Sequence, residues 1–264
     1  ASTISASLSA GTSVTVDTSL DVPATGSSGN VGDAGNIAVN ANITKSGGVD
    51  STLTLRAHND IEVASNVAIS ATTNRLNVVF NSDLDGSGAG AILLNTGSSI
   101  TSNGGDITLG GGAAGDGSGN AHGSAANPDG IKLSGATVNA GGGNVALRGT
   151  GANARKGIQL DSSSVVSTTG TGSITLTGIG GTGSANSADG VHIDTSTVSA
   201  VSGAININGV GGLSTASGQG GVWIGGSSLV TTTFGDIHIT GTGGGTGNGS
   251  IDHDGVAFAG PATV

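Results

Sequence analysis

Two kinds of strand flanked by Gly, Asn, Asp or Ser at a near-fixed separation, apolar alternation of period two inside each, and very few aromatic side chains together predict an all-β fold. The predicted architecture is a right-handed parallel β-helix of about eight rungs, three strands to a rung, with long loops at one corner. One solenoid domain is expected over residues 1–264.

The first strand type begins at Ile37, Ile61, Ile92, Ile131, Ile158, Val191, Val222 and Val256. A weaker second strand is centred on Ile43, Val67, Ile100, Val138, Val166, Val198 and Val230. The third begins at Val14, Leu53, Leu76, Ile107, Val145, Ile174, Ile205 and Ile237. Separations from first to third strand run 16, 15, 15, 14, 16, 14 and 15 residues, whereas those from third to next first strand run 23, 8, 16, 24, 13, 17, 17 and 19. Stacked strands tolerate little change in length and a corner loop tolerates much. The insertions, notably residues 111–128, 179–188 and 241–252, are therefore expected to project from the corner between third and first strands.

Each rung is expected to lay its aliphatic residues over those of the rung below, about 4.8 Å away. Ile131 and Leu133, Ile158 and Leu160, Val191 and Ile193, Val222 and Ile224 make one inward stack. Glycines at strand starts and corners are expected to supply positive φ. Helical repeats are disfavoured by the period of two and the Gly-Gly pairs, a propeller by the missing aromatic signatures, and a sandwich by the fixed spacing.

Composition agrees. The 53 glycines follow no Gly-X-Y period, so collagen is excluded, and the aliphatic clusters are not those of a disordered linker. With Trp223, Phe80, Phe234 and Phe258 as the sole aromatics, the core must be thin and aliphatic. There is no cysteine, hence no disulfide or thiolate chemistry. The net charge of −10, with no Lys or Arg after Lys156, argues against nucleic acid as a partner. No apolar run reaches membrane-spanning length, and Ala1–Ser5 lacks the features of a signal peptide; if the chain is exported, its signal has been removed.

Residues 35–48 (GNIAVNANITKSGG), 51–57 (STLTLRA), 59–63 (NDIEV), 76–81 (LNVVFN), 87–94 (SGAGAILL) and 100–110 (ITSNGGDITLG) resemble the shafts of two-partner-secretion exoproteins. These are the filamentous-haemagglutinin and high-molecular-weight-adhesin families, and the similarity is best over residues 30–112. It implies a right-handed parallel β-helical adhesin shaft, an extracellular or bacterial cell-surface location and an outer-membrane secretion partner. No secretion domain is recognisable, so the chain would be a shaft segment or matured fragment. The resemblance carries over no catalytic residue.

Parallel β-helices also include polysaccharide lyases and hydrolases, which need clustered carboxylates. Asp161 and Asp194 are the best pair, one rung apart, but the neighbouring column positions Ser134 and Gly225 supply no base. They are expected to be solvated turn formers, and no enzyme activity is expected. In Asn81-Ser-Asp83-Leu-Asp85-Gly86, Asp83 and Asp85 have the alternation of a calcium loop, but Ile92 stands where a bidentate Glu belongs. Asp252-His-Asp254 is a poorer candidate. Calcium is thus the sole candidate cofactor, against an ordinary Asx-rich turn. His58, His122, His238 and His253 share no zinc-ligand spacing, and the G-x-G-x-x-G of Gly110–Gly115 precedes no helix.

The outward column of the first strand reads Lys132, Gln159, His192, Trp223 and Ala257. It places the single Trp beside His192, where it could stack on a surface glycan or be covered by a corner loop or a neighbouring subunit. Asn42 and Asn248 head glycosylation sequons. The N-terminal stretch is expected to give a second strand at Ile4–Leu8 and a third at Val14–Val16, with no capping helix at either end. Complementary half-rungs of that kind would stack head to tail into a homopolymeric fibre supporting adhesion or matrix formation.

Overall fold

In the computed structural model, which describes residues 1–18, 35–184, 187–246 and 253–264, three parallel sheets run along the whole molecule. The first holds eight strands: Ile37–Val39, Ile61–Val63, Ile92–Leu94, Ile131–Ser134, Ile158–Asp161, Val191–Asp194, Val222–Gly225 and Val256–Phe258. These begin at the eight residues read from the sequence. The second sheet stacks Ile43–Lys45, Ala68–Ala71, Ser99–Thr101, Thr137–Asn139, Val165–Ser167, Thr197–Ala200 and Leu229–Thr232. The third runs from Val14–Asp17 through Ser51–Arg56, Leu76–Ser82, Ile107–Gly111, Val145–Thr150, Ile174–Ile179 and Ile205–Val210 to Ile237–Thr242. Three strands make one turn of a right-handed parallel β-helix.

The core is the set of aliphatic columns where these sheets face one another. Ile131, Ile158, Val191 and Val222 are in register and fully buried, as are Leu133, Leu160, Ile193 and Ile224. Two registers differ from expectation. Ile69, not Val67, lies over Ile43, and Val78, not Leu76, lies under Ile107. Both shifts are by two residues, so the same face stays inward and the core is unchanged.

Glycines before the first strands play a different part from the one expected. Gly157, Gly190, Gly221 and Gly255 do not have positive φ. They face a second column, Gly149, Gly178, Gly209 and Gly241, in register along the third sheet. A Cβ on any of these four would collide with the carbonyl oxygen of the glycine opposite. The two sheets therefore meet backbone to backbone at this corner. The expected positive φ is found at the other two corners, at Gly97, Gly135 and Gly226 between first and second strands and at Gly48, Gly104, Gly141 and Gly170 between second and third.

The insertions do emerge between third and first strands, but the loop after Gly111 does not simply project. Ala121–His122 pairs in parallel with Gly149 and Thr150, adding a ninth strand to the third sheet. The loop is also tied back to the second rung: the Asp60 carboxylate accepts from Ser124 Oγ at 3.2 Å and Asn127 Nδ2 at 2.6 Å.

The N-terminal end overturns one expectation. Ile4–Leu8 is not a strand but lies within an α-helix, Ser2–Ser9, in the place of a second-sheet strand. Leu8 is fully buried against the core, and Ile4 packs on it. Ser5 Oγ accepts the Thr44 N–H at 3.0 Å and Ser9 Oγ accepts that of Ser46 at 3.0 Å. Two hydroxyls four residues apart thus satisfy backbone donors that would otherwise sit on a bare sheet edge. The helix also bounds a pocket of about 310 Å³ lined by Ile4, Val16, Ile37, Val39, Ile43 and Leu55. The helix thus covers the second-sheet edge at this end. At the other end Thr263 bridges to Leu229, while Phe258 is 57% exposed.

Candidate functional site

Side chains of a strand alternate between faces, so every first-sheet strand sends its middle residue outward. The register aligns Lys132, Gln159, His192, Trp223 and Ala257 in one outward column, as the sequence indicated. Two clefts open along it. One of about 430 Å³ is lined by Asp189, His192, Trp223, Asp254, Ala257 and Phe258. The other, about 200 Å³, lies three rungs earlier beside Leu93, Asn127, Asp129, Lys132 and Arg155.

In the larger cleft the His192 and Trp223 rings are stacked, with centroids 4.2 Å apart and planes within 6°. The imidazole is fixed from behind. Its Nδ1 lies 2.7 Å from Asp189 Oδ2, and because a carboxylate only accepts, Nδ1 carries the proton. Asp189 is 4% exposed and its other oxygen accepts the Gly220 N–H at 2.9 Å. The Asp189 carboxylate is thus bonded to groups of two adjoining rungs.

Trp223 is half-buried and is not roofed by a corner loop among the described residues. Its six-membered ring lies over Gly225, where a Cβ would occupy the space of the ring carbons. This explains a glycine in the column that elsewhere holds Ser134, Asp161 and Asp194. Gly225→Ala should push the indole off His192 and into water. The expected result is a red-shifted tryptophan emission with the fold retained by circular dichroism; an unchanged spectrum would show that the ring does not depend on that glycine.

The Asp161 and Asp194 strands are adjacent, as expected, but the two carboxylates are engaged differently. Asp161 Oδ2 accepts from Gln159 Nε2 at 2.7 Å and lies 3.8 Å from Lys132 Nζ. A base does therefore accompany Asp161, contrary to the sequence expectation, because an outward Lys one rung below reaches diagonally across the sheet. Asp161 Oδ1 is buried without a donor. Asp194 Oδ1 accepts from Thr195 Oγ1 at 3.2 Å.

Behind this column the residues two before the strands read Asp129, Lys156 and Asp189, each at most 9% exposed. Burial, aided by Arg155, lowers the Lys156 pKa below its ordinary value near 10.5, against a weaker upward pull from Asp129 and Asp189. In the pH interval between the lowered folded value and 10.5 the unfolded chain holds more protons, so this group makes stability rise with pH there. Lys156→Met should remove that rise, measured as the difference between the variant and parent urea midpoints from neutral pH toward pH 10.5. Parallel curves would sink the assignment.

The other candidates have local explanations. Asp83, at φ 50° and 3% exposed, turns Oδ1 to its own loop, accepting from Ser87 Oγ at 3.2 Å and from the Gly88 and Ala89 N–H groups. Asp85 Oδ1 accepts the Ser87 N–H at 3.2 Å. No group of three metal-ligating side chains is brought together among the described residues. Asn42 is exposed, with Oδ1 accepting the Ala68 N–H. Asn248 and Asp252 lie outside the described residues.

Sequence reasoning missed three working parts of this face: Asp189 as the support for His192, Gly225 as the seat of the indole, and the buried Asp129–Lys156–Asp189 column. The signal for the last was present, since all three stand two residues before an inward Ile or Val.

Fold and face together define a parallel β-solenoid with an aromatic cleft on its first sheet. No family model matches the chain, and no curated protein or solved structure matches it. No helix among the described residues is long and apolar enough to cross a membrane.

Proposed function

We propose that the chain is a non-enzymatic β-solenoid shaft, displayed outside a bacterial cell, that supports adhesion or matrix formation. The observation that carries this reading is the use of corner carboxylates and amides as rung-to-rung fasteners. Asn77 Oδ1 accepts the Asp106 N–H, Asp106 Oδ1 the Asn144 N–H, and Asn144 Oδ1 the Ser173 N–H, at 2.9, 2.7 and 3.0 Å. Asp60, Asp129 and Asp189 do the same before the first sheet, accepting the Ala91, Lys156 and Gly220 N–H groups. Four of the seventeen acids thus hold the stack together, which suits a rod of summed rung contacts.

The resemblance of residues 35–110 to two-partner-secretion shafts supports the location and an outer-membrane secretion partner. End-to-end polymerisation through the N-terminal face is not part of the proposal, because the Ser2–Ser9 helix lies on it. The test is twofold. Protease shaving of intact source cells should release peptides of this chain, and the purified protein should yield no new reducing ends or unsaturated products from a polysaccharide panel. Retention of the chain inside shaved cells, or turnover abolished by Asp161→Asn or Asp194→Asn, would overturn it.

A further inference from the structure

We infer that the Trp223 cleft binds an uncharged pyranose ring, stacked on the face of the indole that His192 leaves free. The stacked rings belong to neighbouring strands in register, so His192 covers the indole face toward the preceding rung. The opposite face looks toward the following rung. There the register places Ala257, whose methyl group cannot cover a bicyclic ring. The space beside it is the cleft of about 430 Å³, within the range of about 300–1,000 Å³ typical of small-molecule sites.

Rigidity favours a built site. The indole is fixed by the stacked imidazole and by its close fit over Gly225, and the imidazole is held by the buried Asp189, so little ordering remains to be done when a ligand arrives. The chemistry around the ring selects the ligand. A flat aromatic face matches the C–H face of a sugar, and the exposed Asp254 at the rim is an acceptor for hydroxyl donors. No Lys or Arg follows Lys156 in the sequence, and none lines this cleft, so a uronate or sulfated sugar would meet carboxylates without a counter-charge. The inference is independent of the shaft reading, since a rod without this site remains a rod.

Trp223 is the sole tryptophan and the chain has no tyrosine, so intrinsic fluorescence reports on this cleft alone. The full chain would be titrated with cellohexaose, laminarihexaose and mannohexaose, and with hexagalacturonate as the charged counterpart. A saturable change with at least one neutral sugar is expected, with binding about tenfold weaker in Trp223→Ala by calorimetry. Ala257→Leu keeps the tryptophan and fills the slot beside it, and should weaken binding similarly while leaving the thermal midpoint unchanged. The inference is overturned if none of the neutral sugars saturates, if a charged hexamer binds as well as the best neutral one, or if a folded Ala257→Leu variant binds undiminished.

Discussion

Replacing Gly178 by alanine should cost about 3 kcal/mol or more, well above the usual penalty for a surface glycine. The added methyl would strike the Gly190 carbonyl and the Val191 side chain. Neither can move alone: Gly178 is paired with Gly149 and Gly209, while the Gly190 carbonyl accepts the Ile158 N–H at 2.9 Å. Relief would require both sheets to part at a corner where successive rungs repeat the same approach. Gly170→Ala is the matched control, because its φ of 55° is also unfavourable for alanine but nothing lies within 4 Å of the new Cβ. That change should cost about 1–2 kcal/mol. Urea unfolding of both variants distinguishes the cases, and equal losses would mean that close backbone approach is not what glycine provides at the corner.

Leu8→Asp is expected to release the N-terminal helix at a cost of about 2–4 kcal/mol. Leu8 is fully buried, and a carboxylate in its place would have to give up its hydration. The loss is limited by the docking energy of the helix, since eight residues are too few to stay helical alone and the segment can simply leave. Departure uncovers the Thr44 and Ser46 N–H groups now held by Ser5 and Ser9. The variant should show fast amide exchange at those two positions and concentration-dependent association in sedimentation, while the parent shows neither. Slow exchange at Thr44 and Ser46 in the variant would show that the helix is not what protects the edge.

The first sheet was legible in the sequence because its strands carry two inward aliphatic residues at fixed spacing, as in Ile158/Leu160 and Val191/Ile193. Short or flanked strands were harder. The stretch 67–71 offers Val67 and Ile69 on one face, and Leu76–Ser82 offers Leu76, Val78 and Phe80, so alternation alone leaves the register free by two residues. Ile4, Ala6 and Leu8 also fit period two, yet Ile4 and Leu8 share a helix face equally well, as do Ser5 and Ser9. A segment with a sheet neighbour on one side only has no second strand to decide between them.

For the candidate site, the column Lys132, Gln159, His192, Trp223, Ala257 followed from parity and spacing. The support by Asp189 did not, because it depends on how far a corner residue reaches back over the sheet. By itself the sequence determined the number of rungs, the inward columns and the corner that carries the insertions, since these follow from local alternation repeated along the chain. The tertiary structure alone decided that the N-terminal segment is helical, that facing glycines let two backbones meet, and that the indole stacks on His192 over Gly225. Those outcomes arise between residues of different rungs, where contact distance and not local preference sets the energy.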